Sequence, residues 1–278
     1  MVINQKIIKD FENYLIDEEK AEATVEKYVR DVRSFMIWSG GKDADKKTIL
    51  AYKKHICEIY LPASVNSILS SLNSFFEFCG ESHLKVKILK IQKQLFSEKE
   101  KELTRQEYKR LLNSAKRNKK LYYLMQTICG CGIRVSELKF ITVEAIREKK
   151  AQIKCKGKMR TIIIPDSLCA VLGSYIKKER ILSGPVFCSK SGNALDRSVI
   201  WRMMKSLCAS AGVDRKKVFP HNLRHLFART FYSIQKDIVR LADILGHSSV
   251  NTTRIYTIEN GDMHRMQMHR LGLVRMNA

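Results

Sequence analysis

The first third of the chain spaces its apolar residues on a helical period, which points away from a sheet-built fold for this part. Val25, Tyr28, Val29, Val32, Phe35 and Met36 recur at i, i+3, i+4 and i+7, gathering on one helix face. Thr24 is placed to cap that helix and Gly40-Gly41 to stop it. Val65, Ile68, Leu69, Leu72, Phe75, Phe76 and Cys79 repeat the rhythm between Pro62 and Gly80, and weaker helical patterns cover 5–16 and 47–59. Four amphipathic helices with one apolar seam each predict a small bundle. The aromatics on those seams then read as core rather than as platforms for stacking bases.

A run of charged and polar residues over 92–102 interrupts this pattern and reads as a linker, dividing the 278 residues into domains at 1–91 and 103–278. Beyond it the pattern is mixed. Residues 104–116 and 121–129 look helical. Residues 151–155 and 160–164 are rich in β-formers, flank Gly157 and stop at Pro165, which predicts a hairpin. From about Asp196 the period is helical again, with breaks at Gly212, Pro220 and Gly246. The expected fold is mainly α with one small β-hairpin.

Charge divides at the same place. The chain carries 51 Lys+Arg against 28 Asp+Glu, a formal net charge of +23. Residues 1–96 hold 15 basic and 13 acidic residues, whereas residues 97–278 hold 36 and 15. Such an excess in one domain calls for a polyanionic partner, nucleic acid first and an anionic membrane surface second. The charges are interleaved with apolar residues rather than run in blocks, so the excess does not signal disorder. No apolar stretch approaches the ~18 residues of a membrane span, and the N-terminus lacks the layout of a signal peptide. The eight cysteines (57, 79, 129, 131, 155, 169, 188, 208) are scattered, and Cys79 and Cys208 sit inside apolar patterns. They read as reduced thiols of a cytosolic protein. Cys129 and Cys131 have no second pair or nearby histidine to complete a zinc site, so no metal is expected.

Four segments carry candidate chemistry. Gly130-Cys131-Gly132-Ile133-Arg134-Val135-Ser136-Glu137-Leu138 follows a helix, not a strand, and has Val135 where a dinucleotide fingerprint needs its third glycine. Its glycines instead turn the chain from one helix into another. Arg134, near the new N-terminus, either suits a phosphate or simply pairs with Glu137. In Phe219-Pro220-His221-Asn222-Leu223-Arg224-His225, a helix started by Pro220 puts His221, Arg224 and His225 on one face. Asn222 replaces the glutamate of a zinc-protease helix and Arg224 would repel a metal, so an anion site fits better, with His225 as a buried structural residue. His247 lies in a connection between Gly246 and a Ser/Asn/Thr cap, and Tyr256 follows nine residues later. Finally Lys154, Lys156, Lys158 and Arg160 place four cations about one turn. They form either a solvated DNA-binding finger or a support from which one lysine reaches an active site.

Taken together, two arginines, two histidines and a lysine would neutralise and protonate around a phosphodiester, with a tyrosine available as nucleophile and no carboxylate cluster for Mg²⁺. That set describes metal-free phosphoryl transfer through a covalent protein intermediate. The order Arg134, Lys156, His221-x-x-Arg224, His247, Tyr256 resembles the tyrosine recombinase (phage integrase) family, and "GIRVSEL", "HNLRH" and "LGHSS…TTRIY" match its boxes closely. The helical part, with "ATVEKYVRDVRSFMIW", is similar to the family's four-helix, SAM-like core-binding domain, and 103–278 to its mixed α+β catalytic domain. The length is that of a minimal, Xer-like member.

The resemblance implies a site-specific recombinase with no cofactor, in which Tyr256 attacks the scissile phosphate and Arg134 and Arg224 clamp its non-bridging oxygens. It implies Lys156 as general acid for the leaving 5′-oxygen, His221 as proton carrier for the tyrosine, His247 as a donor to the phosphate and Glu137 as a brace. The family's hairpin usually reads Gly-Lys-Gly, whereas here it is Cys155-Lys156-Gly157, which leaves Lys158 as the rival general acid. The implied partner is double-stranded DNA with a specific core site, bound by a homotetramer on two duplexes that exchanges residues 263–274 between neighbours. A paralogous recombinase or an accessory DNA-binding protein could join that assembly. No membrane is implied. The expected location is the cytoplasm, at the nucleoid, in a bacterium or on a phage or other mobile element. The alternatives are a topoisomerase-like nicking and religating enzyme, and a DNA-binding regulator that has lost activity.

Overall fold

Asn4 and Asp45 each accept a hydrogen bond from a backbone N–H three residues ahead, Ile7 at 2.9 Å and Thr48 at 2.6 Å, and helices α1 (Gln5–Asp17) and α3 (Lys46–Ile59) start there. In this computed structural model residues 1–41, 43–91, 101–155, 158–189, 191–256, 266 and 268–271 are described, with the backbone alone for 154, 155 and 158. Helix α2 (Glu22–Trp38) starts three residues before the position expected from Thr24. Its N-cap is Ala21, which offers no side-chain bond, and Glu22 places a negative charge in the first turn instead. Helix α4 (Pro62–Phe78) opens on a proline, whose missing N–H costs nothing there.

These four helices belong to the first of two compact units, Met1–Lys93 and Gln94–Ala278. Phe11, Phe35, Phe75 and Phe76 are fully buried at its centre, each contributing about 1.5–3 kcal/mol of apolar burial. The buried carboxylate of Asp31 accepts from Lys27 Nζ at 2.7 Å and Ser71 Oγ at 2.8 Å. Asn66 and Asn73 lie seven residues apart on α4. Each exchanges two hydrogen bonds with the backbone, at Leu89 and Val86 respectively, pinning the extended chain that leaves the bundle.

The second unit begins with a capping box, Thr104 with Glu107, that starts α5 (Arg105–Ser114). Glu102, placed in the linker by sequence, pairs with Arg229 at 3.1 Å and so belongs to this unit, while residues 92–100 lie outside the described residues. Helix α6 (Lys119–Cys131) runs through the core, with Leu124, Met125 and Ile128 fully buried. After a 3-10 turn, Val135–Phe140, come α7 (Val143–Arg147) and an antiparallel hairpin, β1 (Lys150–Cys155) and β2 (Lys158–Ile163), in register from Lys150↔Ile163 to Cys155↔Lys158. Pro165 leads straight into α8 (Asp166–Lys178), a helix that the sequence reading passed over although Leu168, Leu172, Tyr175 and Ile176 carry the period. Then follow α9 (Arg197–Lys205), α10 (Cys208–Ala211), α11 (Pro220–Gln235), α12 (Ile238–Leu245), α13 (Val250–Thr253) and a 3-10 turn, Arg254–Tyr256. The break between α11 and α12 falls at Lys236, which takes the left-handed conformation at φ 54 with no glycine or proline to announce it. Among the described residues the chain is thus mostly helical with one small antiparallel sheet, as the periodicity predicts.

Candidate active site

Helix α6 ends because Gly132 takes φ +63, and a methyl group built there would overlap the Phe227 ring. The reversal delivers Arg134 as the residue that opens the Val135–Phe140 turn. Glu137 folds back on it, accepting from Arg134 N at 2.8 Å and from Arg134 Nη1 at 3.1 Å. The pairing anticipated as one of two readings is therefore present, yet the Arg134 side chain remains 43% exposed and lines an open cleft of about 570 Å³. His221, Arg224, Arg197 and Trp201 line the same cleft.

On α11 the period places His221 and His225 with ring centroids 4.4 Å apart, and Arg224 between them faces inward, 1% exposed. Arg224 donates to Gly132 O at 2.7 Å, Leu245 O at 2.8 Å and His247 Nε2 at 3.0 Å. Burial, then the charge of Arg134, lowers its pKa to about 10, against the opposing pull of Tyr256 and Glu137, so it stays a cation at neutral pH. Asn222 donates to Lys101 O and Lys217 O, both at 2.8 Å, a structural task that suits neither metal nor substrate.

Helix α12 ends at Gly246, φ +62, and His247 follows. Its Nδ1 lies 2.8 Å from Oγ1 of the fully buried Thr253. Arginine has no acceptor, so Nε2 accepts from Arg224 and the ring proton sits on Nδ1, directed at Thr253. Burial and the nearby arginines lower the His247 pKa to about 4. Tyr256 is 4% exposed, packed with Ala228, Leu241 and Leu245. The His225 ring meets it edge-on at 4.9 Å and the His247 ring lies nearly parallel at 6.1 Å. His225, read from sequence as structural, is held neutral by burial and the neighbouring cations, with its pKa near 3. His221 is lowered by burial first and then by Arg224, Arg134 and Arg197.

Of the six residues chosen from sequence, Arg134, His221, Arg224, His247 and Tyr256 come together from distant segments. Lys156 lies outside the described residues, and Lys158 is described by its backbone as the first residue of β2. Arg160 departs from the expectation of four cations on one turn. It points inward, 14% exposed, and donates to Glu137 Oε2 at 3.0 Å and to Leu245 O. Thr253 was also missed, although it stands inside "TTRIY". Around Glu137 stand three guanidinium groups, Arg134 at 3.1 Å, Arg160 at 3.0 Å and Arg224 at 4.0 Å. One carboxylate among three such cations leaves an excess of positive charge at the cleft, the environment a phosphodiester seeks. Cys129 and Cys131 stay protonated, burial pushing their pKa values up to about 11 and 12. Among the described residues no three His, Cys, Asp or Glu side chains are grouped to hold a metal, and no helix is long and apolar enough to cross a membrane.

Comparison with known proteins identifies the family of the chain. Residues 101–262 match the model of the phage integrase family. The tyrosine recombinase XerA of Pyrococcus furiosus is 30% identical over 267 residues, covering 92% of this chain and 90% of its own. A crystal structure of a XerA recombinase superposes with a TM-score of 0.53 at 26% identity, over 97% of this chain and 99% of that one. A lambda integrase tetramer bound to a Holliday junction shares the fold, with a TM-score of 0.69 at 21% identity over 90% of this chain and 76% of that one. Relatives named recombinases favour strand exchange over nicking and religation or an inactive regulator. The chain belongs to the phage integrase family and is a tyrosine recombinase, an enzyme of site-specific DNA strand exchange.

Proposed function

We propose that the Tyr256 oxygen attacks the scissile phosphorus of one strand at a specific core site in double-stranded DNA. The bond from phosphorus to the 5′-oxygen breaks as the bond to tyrosine forms, leaving a 3′-phosphotyrosyl link and a free 5′-hydroxyl. The 5′-hydroxyl of the other duplex then reverses the step on the new strand, so no outside energy is consumed. Arg134 and Arg224 hold the non-bridging oxygens and offset the charge that builds in the transition state. His221 carries the tyrosine proton, and Lys156 protonates the leaving 5′-oxygen. His247 begins as the acceptor of Arg224. When Arg224 turns to the phosphate, the anion favours protonation of Nε2, which then donates to the same phosphate.

The observation that carries this reading is Arg224, buried, charged and bonded to His247, with Tyr256 close enough to act on its charge. A nucleophile packed against its own chain's histidines supports cleavage in cis. The working assembly is a homotetramer on two duplexes, in keeping with the tetramer that lambda integrase forms on a Holliday junction. Its C-terminal exchange over 263–274 falls largely outside the described residues. The enzyme works at the nucleoid, on integration and excision, dimer resolution or inversion, alone or with a paralogous recombinase or accessory protein. The test is a suicide DNA whose released fragment, the one bearing the free 5′-hydroxyl, diffuses away. Wild type accumulates a covalent adduct, whereas Tyr256→Phe binds the DNA and forms none; an adduct with the phenylalanine variant refutes the nucleophile.

A further inference from the structure

Arg160 stands in strand β2, paired with Ile153, yet its guanidinium reaches the far side of the site. Two acceptors hold it: Glu137 Oε2 at 3.0 Å and the carbonyl of Leu245. Arg224 faces the same two, Leu245 O at 2.8 Å and Glu137 Oε2 at 4.0 Å. The side chain also occupies the space beside Gly246, where a Cβ would run into its Cδ and Nη1. Gly246 therefore serves two needs at once, a left-handed turn and room for Arg160. Burial lowers the Arg160 pKa, with Arg134 adding to the fall and Glu137 opposing it.

We propose that Arg160 is a positioning residue for strand cleavage: by engaging Glu137 Oε2 it keeps that carboxylate from pairing closely with Arg224, which then binds the scissile phosphate. The physical reason is competition for one carboxylate. With Arg160 in place, Oε2 of Glu137 is engaged at 3.0 Å and Arg224 stays at 4.0 Å, a loose ion pair beyond hydrogen-bond reach. Without it, Glu137 swings onto Arg224, neutralises it and draws it from the phosphate. The Leu245 carbonyl, which precedes the turn to His247, loses one of its two donors in the same event. Arg160 also ties the hairpin to that turn, so strand β2 is held against the phosphate site.

This rests on the reading of Arg224 as a phosphate clamp, and the experiment separates the two. Cleavage is measured on a suicide substrate with an ordinary scissile phosphodiester and on one carrying a neutral methylphosphonate there, which has less charge to offset. Arg224→Ala is expected to lose cleavage on the first and recover much of it on the second. Arg160→Ala is expected to cleave the phosphodiester about 10- to 100-fold more slowly, with DNA affinity within about twofold of wild type, and to recover on the methylphosphonate as Arg224→Ala does. Arg160→Lys keeps the charge but cannot span both acceptors, so it behaves like the alanine variant; if alanine fails to fold, as a thermal melt shows, the lysine variant is scored alone. Recovery of Arg224→Ala without recovery of the Arg160 variant overturns the proposal, as does a wild-type rate with Arg160→Lys. A salt-dependent loss of affinity makes Arg160 a DNA contact instead and also overturns it. If Arg224→Ala does not recover, the clamp reading itself falls and takes the proposal with it.

Discussion

Arg134 and Arg224 share a task in the proposed chemistry but not an environment, and replacing each with alanine separates the two contributions. Both variants lose a donor aimed at the phosphate, a loss of about 10²–10³ in cleavage rate. Their stabilities should differ. Arg224 is 1% exposed and bonds two backbone carbonyls, at Gly132 and Leu245, together with His247. Alanine there strips those acceptors of a donor, leaves Glu137 short of one cation and opens a void, about 3–5 kcal/mol in all. For a unit of this size that lowers Tm by roughly 6–20 °C. Arg134 is 43% exposed and its side chain bonds Glu137, which keeps Arg160 at 3.0 Å and the backbone N–H of residue 134. Its removal should cost about 1 kcal/mol or less. Denaturant unfolding and suicide-substrate cleavage, run side by side, give both numbers. Equal destabilisation by the two variants, or a stable Arg224→Ala, would mean that the buried hydrogen bonds are not what hold this site.

Three further outcomes follow from particular residues. A bridging 5′-sulfur leaves without a proton, so it should rescue cleavage by Lys156→Ala, while Lys158→Ala should weaken binding in a salt-dependent way without rescue; the reverse pattern swaps the two lysines. His225 and His247, with pKa values near 3 and 4, are neutral in the fold and take up protons only when it opens. Stability should therefore hold above about pH 6.5 and fall as pH drops toward 5, with uptake of about two protons on unfolding; unfolding free energy measured against pH checks this, and a flat profile refutes it unless His225→Gln and His247→Gln alter it. Gly212 and Gly246 share a left-handed φ, +58 and +62, but only Gly246 lacks room for a Cβ. Gly212→Ala should cost about 1–2 kcal/mol and cleave normally, whereas Gly246→Ala should cost more and impair cleavage by displacing Arg160. Equal unfolding free energies for the two would remove the steric part of that explanation.

Helices α1 to α4 are legible in the sequence because a buried helix face repeats every 3.6 residues, and Phe35, Phe75 and Phe76 sit where that repeat places them. The hairpin is legible from its β-formers and Gly157, and the site's main residues from motif matches. Helix starts are less so: Thr24 has a capping side chain, but Ala21 holds the cap position because packing of the whole α2 seam outweighs one hydrogen bond. Arg160 shows the limit most clearly. Next to three lysines its charge says solvent, and strand alternation does not tell which long side chain finds an acceptor across the unit. Its inward course depends on Glu137 and the end of α12, 23 and 85 residues away in sequence. A local pattern records which face of an element is apolar, whereas a buried cation is decided by acceptors from other segments, and those meet it only once the chain has folded.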